Sequence, residues 1–394
     1  MRIGIDGRPL QTASRYRGIG SYTQSLIKNL LALDHDNHYV LFGFEGSDFP
    51  AFEGGNVEFA PALTELGVDR RWVWELLFLN GILSCYGLDL FHATEPCCIR
   101  GPAHYAIVHT VHDLAPLIFG RECFNPFRVD RRVGYRRQLG TIRRADRIIA
   151  VSRSTADDIA SLLNVPRDRI TVSHEGIDES FAPVTGGSIV EACKARYGIR
   201  GDYIIFVGNT EWRKNLFRVL RVLPEVRDRC GDVGLLIVSP LPESRRREVR
   251  ALSGKLGIGE SVHIPGYVPL RDMTALMGGA RMLAFPSYYE GFGLPVLEAM
   301  ACGTPVLTSN ISSLPEVAGD AALLVDPYSD EEICDGITRI LSEEGLRREM
   351  REKGLRRAGL FSWKKHAADV LKVYREVAAG REPPVAPPGE AGKR

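Results

Sequence analysis

At 394 residues the chain is long enough for two domains, taking roughly 150 residues for each. Lys and Arg number 50 and Asp and Glu 49, leaving a formal charge of +1 that argues against a histone-like or polybasic nucleic-acid binder. With 44% hydrophobic and 25% charged residues, the composition is that of a globular protein with material for large cores, and it excludes a disordered chain.

The opening stretch, MRIGIDGRPL, lacks the apolar core of a secretory leader, and nowhere do 18 apolar residues follow one another, so neither leader nor membrane span is expected. The eight Cys form no CxxC pair and read as reduced thiols of a cytoplasmic protein. Short β-branched runs alternate with helical stretches, the pattern of a parallel sheet covered on both faces. Strands are expected over Arg2–Asp6, His38–Phe44, 88–93, 105–111, 147–151 and 170–173. An amphipathic helix is expected over 21–33 and a basic one over 128–144. Ser152 or Ser154 caps a further helix, whose Asp157 and Asp158 suit the positive end of its dipole.

Residues 179–187 carry Pro and two adjacent Gly without periodicity and read as a linker. A second strand series follows over 203–207, 234–238, 262–264, 282–285, 304–307 and 322–325, then helices over 330–342, 345–354 and 363–377. The expectation is an α/β protein of two doubly wound halves, 1–184 and 185–362, with a last helix over 363–379 and a disordered tail over 380–394.

In open α/β sheets ligands sit outside the carboxyl ends of the strands, so residues just after strands are the candidates. After the strand 282–285 come Glu290-Gly291-Phe292-Gly293 and then Leu294-Pro295, with Pro295 near the first turn of a helix and Glu298 placed in that turn. Two glycines let a backbone approach a ligand, and two carboxylates can accept from hydroxyls on separate parts of it. The plainer reading is a tight turn with a capping Glu. After the strand 203–207 come Gly208 and the cations Arg213 and Lys214, a planar fork and a point charge suited to a diphosphate, or else a solvated turn. His112-Asp113 follows the strand 105–111, where a lone His is more often structural than catalytic. His104, His109 and His112 are rejected as a zinc site, because His109 and His112 point to opposite faces. The loop Arg17-Gly18-Ile19-Gly20 opens a helix and suits a phosphate or an acceptor. Thr23 stands where a dinucleotide fingerprint needs its third Gly, and no GxxxxGK[ST] occurs, which disfavours a dehydrogenase and a P-loop ATPase.

Glu290 and Glu298, separated by seven residues within EGFGLPVLEAMACGTPV, resemble the E-x7-E motif of the retaining glycosyltransferases of family GT4. The resemblance runs to about residue 377 and implies the GT-B fold, two Rossmann-like domains around a cleft, with acceptor on the first and nucleotide sugar on the second. It gives Glu290, with Gly291, Phe292, Gly293 and Leu294, the donor sugar, and Glu298 the ribose. Arg213 and Lys214 hold the diphosphate without a metal or other cofactor. His112, its ring oriented by Asp113, meets the sugar near its C6 hydroxyl, and Gly20 packs near the diphosphate. Tyr267 and Val268 lie beside the base. The loop 309–316 meets the distal phosphate or ribose, and the last helix crosses back onto the first domain.

The RGIGSYT and HDL segments are similar to bacterial mannosyltransferases, implying GDP-mannose first and a UDP-sugar next, with a glycan, glycolipid or small-molecule acceptor. The alternatives are a GT-B nucleotide-sugar 2-epimerase and a non-catalytic nucleotide-sugar-binding subunit. The loops around 45–70 and 94–104 are expected to choose the acceptor. The run Arg128, Arg131, Arg132, Arg136, Arg137, Arg143, Arg144 and Arg147, opposed by Asp130 and Asp146, is either a solvated face or a contact for an anionic acceptor or the inner membrane surface. Trp72 and Trp74 would join such a face or form an ordinary core helix.

Overall fold

The computed structural model describes residues 1–12, 18–45, 49–52, 56–63, 71–123, 129–184, 186–208 and 211–380. Arg17, Arg128, much of 45–70 and the tail after Gly380 lie outside them. The first lobe holds β1 (Arg2–Asp6), β2 (His38–Phe44), β3 (Val57–Leu63), β4 (Leu90–Ala93), β5 (Ala106–Val111), β6 (Arg147–Ala150) and β7 (Ile170–Val172). They form one parallel sheet in the order β3-β2-β1-β4-β5-β6-β7. The second lobe holds β8 (Asp202–Val207), β9 (Val233–Val238), β10 (Val262–Gly266), β11 (Met282–Phe285), β12 (Val306–Ser309) and β13 (Leu323–Val325). Its order is β10-β9-β8-β11-β12-β13, again parallel throughout.

β3 has no counterpart among the expected strands. It carries Pro61 and Glu58, which weaken a strand signal, yet it lies at the edge of its sheet, where a missing N–H is harmless. Ser152, not Ser154, caps its helix by accepting from the Thr155 amide. The helix after β11 spans Leu294–Ala301, starting directly after Gly293, so Glu298 lies in its second turn instead of its first.

Both sheets reverse their winding at one point, between β1 and β4 in the first lobe and between β8 and β11 in the second. A buried ion network closes the first of these points. Arg8 bonds Asp6 and Glu75, and Arg71 bonds Glu75 and Glu95, which pins the helical segment 71–84 onto the sheet. Burial disfavours the Arg8 charge, but Asp6 and Glu75 more than offset this, and its pKa ends well above the usual value.

One apolar cluster runs through both lobes, from Tyr22, Leu26 and Leu30 to Trp363, Val370 and Tyr374 and on to Phe292 and Leu297. The last helix, Trp363–Ala379, packs on the helix Gly18–Leu33 of the first lobe. Its start presses so closely on the first lobe that a Cβ at Gly176 would lie 2.0 Å from the Trp363 amide nitrogen.

Candidate functional site

The second switch point gathers three charges. Lys214, in the turn after β8, places Nζ 2.8 and 2.9 Å from the two carboxylate oxygens of Glu290 in the turn after β11. Arg213 donates from Nη1 to Glu290 and to the Tyr289 carbonyl, both at 3.2 Å, and from Nε to Glu211 at 2.9 Å. Burial works against the Arg213 charge, but Glu290, Asp113 and Glu211 more than offset it, and its pKa is raised. Asn215 ties the two turns together, donating to the carbonyls of Pro286 and Pro327 at 2.9 Å each.

The Glu290 turn is braced from below by the loop after β12. The Glu290 amide donates to Ser312 Oγ at 3.0 Å, and the Ser312 and Ser313 hydroxyls donate to the Glu290 carbonyl. Ser313 also reaches the Phe292 carbonyl at 2.7 Å. In this structure the 309–316 loop therefore supports the Glu290 turn, which adds a bracing task to the ligand contact expected of it. Gly293 has φ of +113°, a conformation costly for other residues, and it turns the chain into the helix that carries Glu298.

Glu298 is half-buried, and among the described residues its carboxylate has no hydrogen-bond partner. Burial, then Asp178 and Glu175, push it up to about 7 from an ordinary 4.5, with Lys214 acting the other way. The folded pKa exceeds the unfolded one, so the contribution to stability is full below about pH 4.5 and is lost as pH rises through about 7. The excess melting temperature of Glu298→Gln over wild type should therefore grow from pH 4.5 to pH 8, as read by calorimetry. A pH-independent difference would mean that this carboxylate ionises normally.

The first lobe meets this turn directly. A Cβ at Gly291 would lie 1.7 Å from the His112 carbonyl oxygen. Thr155 donates to the Gly291 carbonyl at 3.1 Å, and the Tyr289 hydroxyl donates to Asp158 at 2.7 Å while the Leu114 amide approaches it at 3.3 Å. Glu316, after β12, accepts from the Arg153 amide at 2.8 Å and pairs with His174 Nε2 at 2.6 Å.

His112 sits beside this contact with both ring nitrogens engaged, Nε2 3.0 Å from the Thr94 carbonyl and Nδ1 3.3 Å from Glu175. A carbonyl only accepts, so Nε2 donates to Thr94 and Nδ1 is the ring atom that faces Glu175. Asp113 does not orient the ring, contrary to expectation. It accepts from the Ala115 amide at 3.0 Å, leaving the orienting contact to Glu175 after β7. A sugar contact through this ring requires the bond to Thr94 or to Glu175 to open.

Tyr22 packs its ring edge-on against His112 at 4.6 Å and is part of a buried chain of hydrogen bonds. Tyr374, His92, Thr110, Tyr22, His366, Ser173 and Asp369 follow one another at 2.6, 2.8, 2.8, 3.0, 2.9 and 3.2 Å. Burial pushes His366 down to about 4 and His92 well below its usual value, so both are neutral at pH 7. Asp369 can only accept, which gives the chain one direction. Ser173 donates to Asp369, His366 Nδ1 to Ser173, Tyr22 to His366 Nε2, Thr110 to Tyr22, His92 Nε2 to Thr110 and Tyr374 to His92 Nδ1. Both ends lie on the last helix, so the chain laces that helix to the first lobe. Tyr22→Phe should cost about 1–3 kcal/mol by stranding Thr110 and His366. An unchanged denaturation midpoint would mean that the hydroxyl is dispensable.

The remaining expected residues are dispersed around this centre. Gly208 ends β8, Leu294 opens the Glu298 helix, and Gly20 is buried in the first turn of the helix Gly18–Leu33. The Phe292 side chain packs between His174 and Phe361, so only its backbone can face a ligand. Tyr267 and Val268 follow β10, the sheet edge two strands from β8, with Tyr267 67% exposed and Val268 buried. His104 is exposed and His109 is buried. Among the described residues no three His, Cys, Asp or Glu gather as metal ligands.

Two facing parallel sheets with charged turns at their switch points define the GT-B architecture. Residues 16–181 match the model of glycosyltransferase family 4 and residues 194–357 that of the glycosyl transferases of group 1. The chain belongs to the family 4 glycosyltransferases. It is 31% identical over 242 residues to O-antigen chain mannosyltransferase B of Escherichia coli, a match covering 58% of this chain and 60% of the relative's length. Sucrose-phosphate synthase of Thermosynechococcus elongatus superposes with a TM-score of 0.76 at 20% identity over 97% of this chain and all of that one. Anabaena Alr3699/HepE, solved with UDP and glucose, superposes with a TM-score of 0.72 at 15% identity, covering 95% of this chain and 100% of that one. These two show the shared fold.

Proposed function

We propose that the chain moves a hexosyl unit, mannosyl from GDP-mannose, onto an acceptor hydroxyl with retention at the anomeric carbon. The observation that carries this reading is the meeting of Arg213, Lys214 and Glu290 within 3.2 Å, opposite His112. Arg213 and Lys214 take the diphosphate, Glu290 passes from them to the sugar hydroxyls, and Glu298 accepts from the ribose. The bond from the anomeric carbon to the phosphate oxygen breaks while the acceptor oxygen bonds on the same face. The acceptor proton goes to the departing phosphate oxygen. Cations fixed in a shielded site stabilise that oxygen without rearranging, and contact between the lobes excludes water that would hydrolyse the donor.

The E. coli relative supports the mannosyl donor. A UDP-sugar is the second reading, supported by the UDP and glucose in the Anabaena structure. Calorimetric titration with GDP and UDP separates them. Incubating GDP-mannose without acceptor then tests the reaction itself, since an isomerised sugar would make the chain an epimerase. The charge on the leaving group is carried by side chains, so a chelator should leave turnover unchanged.

A further inference from the structure

We infer that the first lobe carries a docking surface for an anionic lipid bilayer, formed by the outer edge of the helical segment 71–84 and the arginine-rich helix Val129–Arg144. The segment 71–84 is held from inside by Arg71 and Glu75, and this turns Leu77 and Phe78 outward, 59% and 52% exposed. Trp74, Leu77, Phe78, Gly81 and Ile82, at helical spacing, line a shallow apolar recess of about 410 Å³. From Leu76 to Leu88 the sequence holds thirteen residues without a charge. Leu79, Leu83 and Leu88 of this run belong to the core, and Leu77 and Phe78 stand outside it, as in a segment lying in the headgroup boundary.

The neighbouring elements continue the same character. Trp72 packs where a Cβ at Gly134 would lie 2.6 Å from its ring, so the two helices touch. Val133 on the second helix is 38% exposed. With Val73, Leu77 and Phe78 it makes four of the fourteen exposed large apolar residues among those described. The helix Val129–Arg144 holds six Arg and one acid in a chain balanced at 50 to 49, and Arg136 and Arg137 are exposed on it. Protruding apolar side chains beside the exposed Arg136 and Arg137 fit an anionic bilayer, whose surface attracts each cation and accepts each apolar group.

The test is co-sedimentation of the full chain, without nucleotide, with vesicles of phosphatidylglycerol or of phosphatidylcholine. Failure of the donor reading leaves this result untouched. Partition onto the anionic vesicles is expected, weakening as salt rises toward 1 M. Leu77→Ser with Phe78→Ser should lower it roughly tenfold or more, while Leu360→Ser, an exposed residue of the second lobe, should not. Arg136→Glu with Arg137→Glu should remove the salt-sensitive part, which keeps the test decisive if the first variant fails to fold. No binding to anionic vesicles, or binding unchanged in the Leu77 and Phe78 variant, would overturn the inference. A dimer that this variant dissociates, without vesicle binding, would overturn it in favour of a second copy of the chain.

Discussion

Lys214→Ala and Arg213→Ala should each lower turnover by roughly 10²–10³, the cost of removing one fixed donor aimed at developing charge. Lys214 spans both oxygens of Glu290 at 2.8 and 2.9 Å, and Arg213 reaches Glu290 at 3.2 Å and Glu211 at 2.9 Å, so the two cations are held by two carboxylates in the resting site. In the proposed reaction a diphosphate entering it would replace Glu290 as the partner of these cations, and removing either cation would leave two acids competing for the other. The loss should fall on turnover as well as on donor affinity, because the charge on the departing phosphate peaks as its bond to the sugar breaks. Glu290→Gln should act oppositely in its two readouts, tightening nucleoside diphosphate binding by freeing both cations while slowing transfer. Steady-state kinetics with calorimetry on the same preparations reads both effects. Unchanged turnover in both cation variants would remove the diphosphate from this site.

The second lobe was legible because its chemistry is local. Gly208, Arg213, Lys214 and Glu290 follow two buried neighbouring strands, and the rule that ligands gather at strand ends puts them at one switch point. What supports them is not local. Ser312 bonds Glu290 from 22 residues away, and Thr155 and Asp158 reach the same turn from the other lobe, 136 and 131 residues away. A sequence holds no record of such pairs until both sheets are placed. Glu175 is the exception, since it follows β7 as His112 follows β5, and applying the same rule there would have found it in place of Asp113. The chain from Tyr374 to Asp369 was hidden for another reason. Its members look like ordinary apolar-face residues of helices and strands, and only the return of the last helix onto the first lobe joins them.

Gly291→Ala should abolish most of the activity while leaving both lobes folded and the nucleotide bound. The added Cβ would lie 1.7 Å from the His112 carbonyl oxygen, 2.7 Å from its carbon and 3.1 Å from the Asp113 Cβ. Two of these atoms are backbone at the end of a central strand, so no rotamer change relieves the clash. Either the Glu290 turn retreats or the lobes part. Each lobe keeps a core of its own, one around Phe42, Phe91 and Ile148 and the other around Phe206, Leu235 and Ile237. The melting temperature should therefore move little. Arg213, Lys214, Glu290 and Glu298 all belong to the second lobe, so nucleotide affinity should fall by far less than turnover. A displacement of about 1 Å between reacting groups costs roughly 10²-fold in rate, which sets the least expected loss. Solution scattering should show a larger radius of gyration if the lobes part and an unchanged one if only the turn moves. Full turnover in this variant would show that the working enzyme never brings these two backbones together, and the assignment of His112 to the donor sugar would fall with that contact.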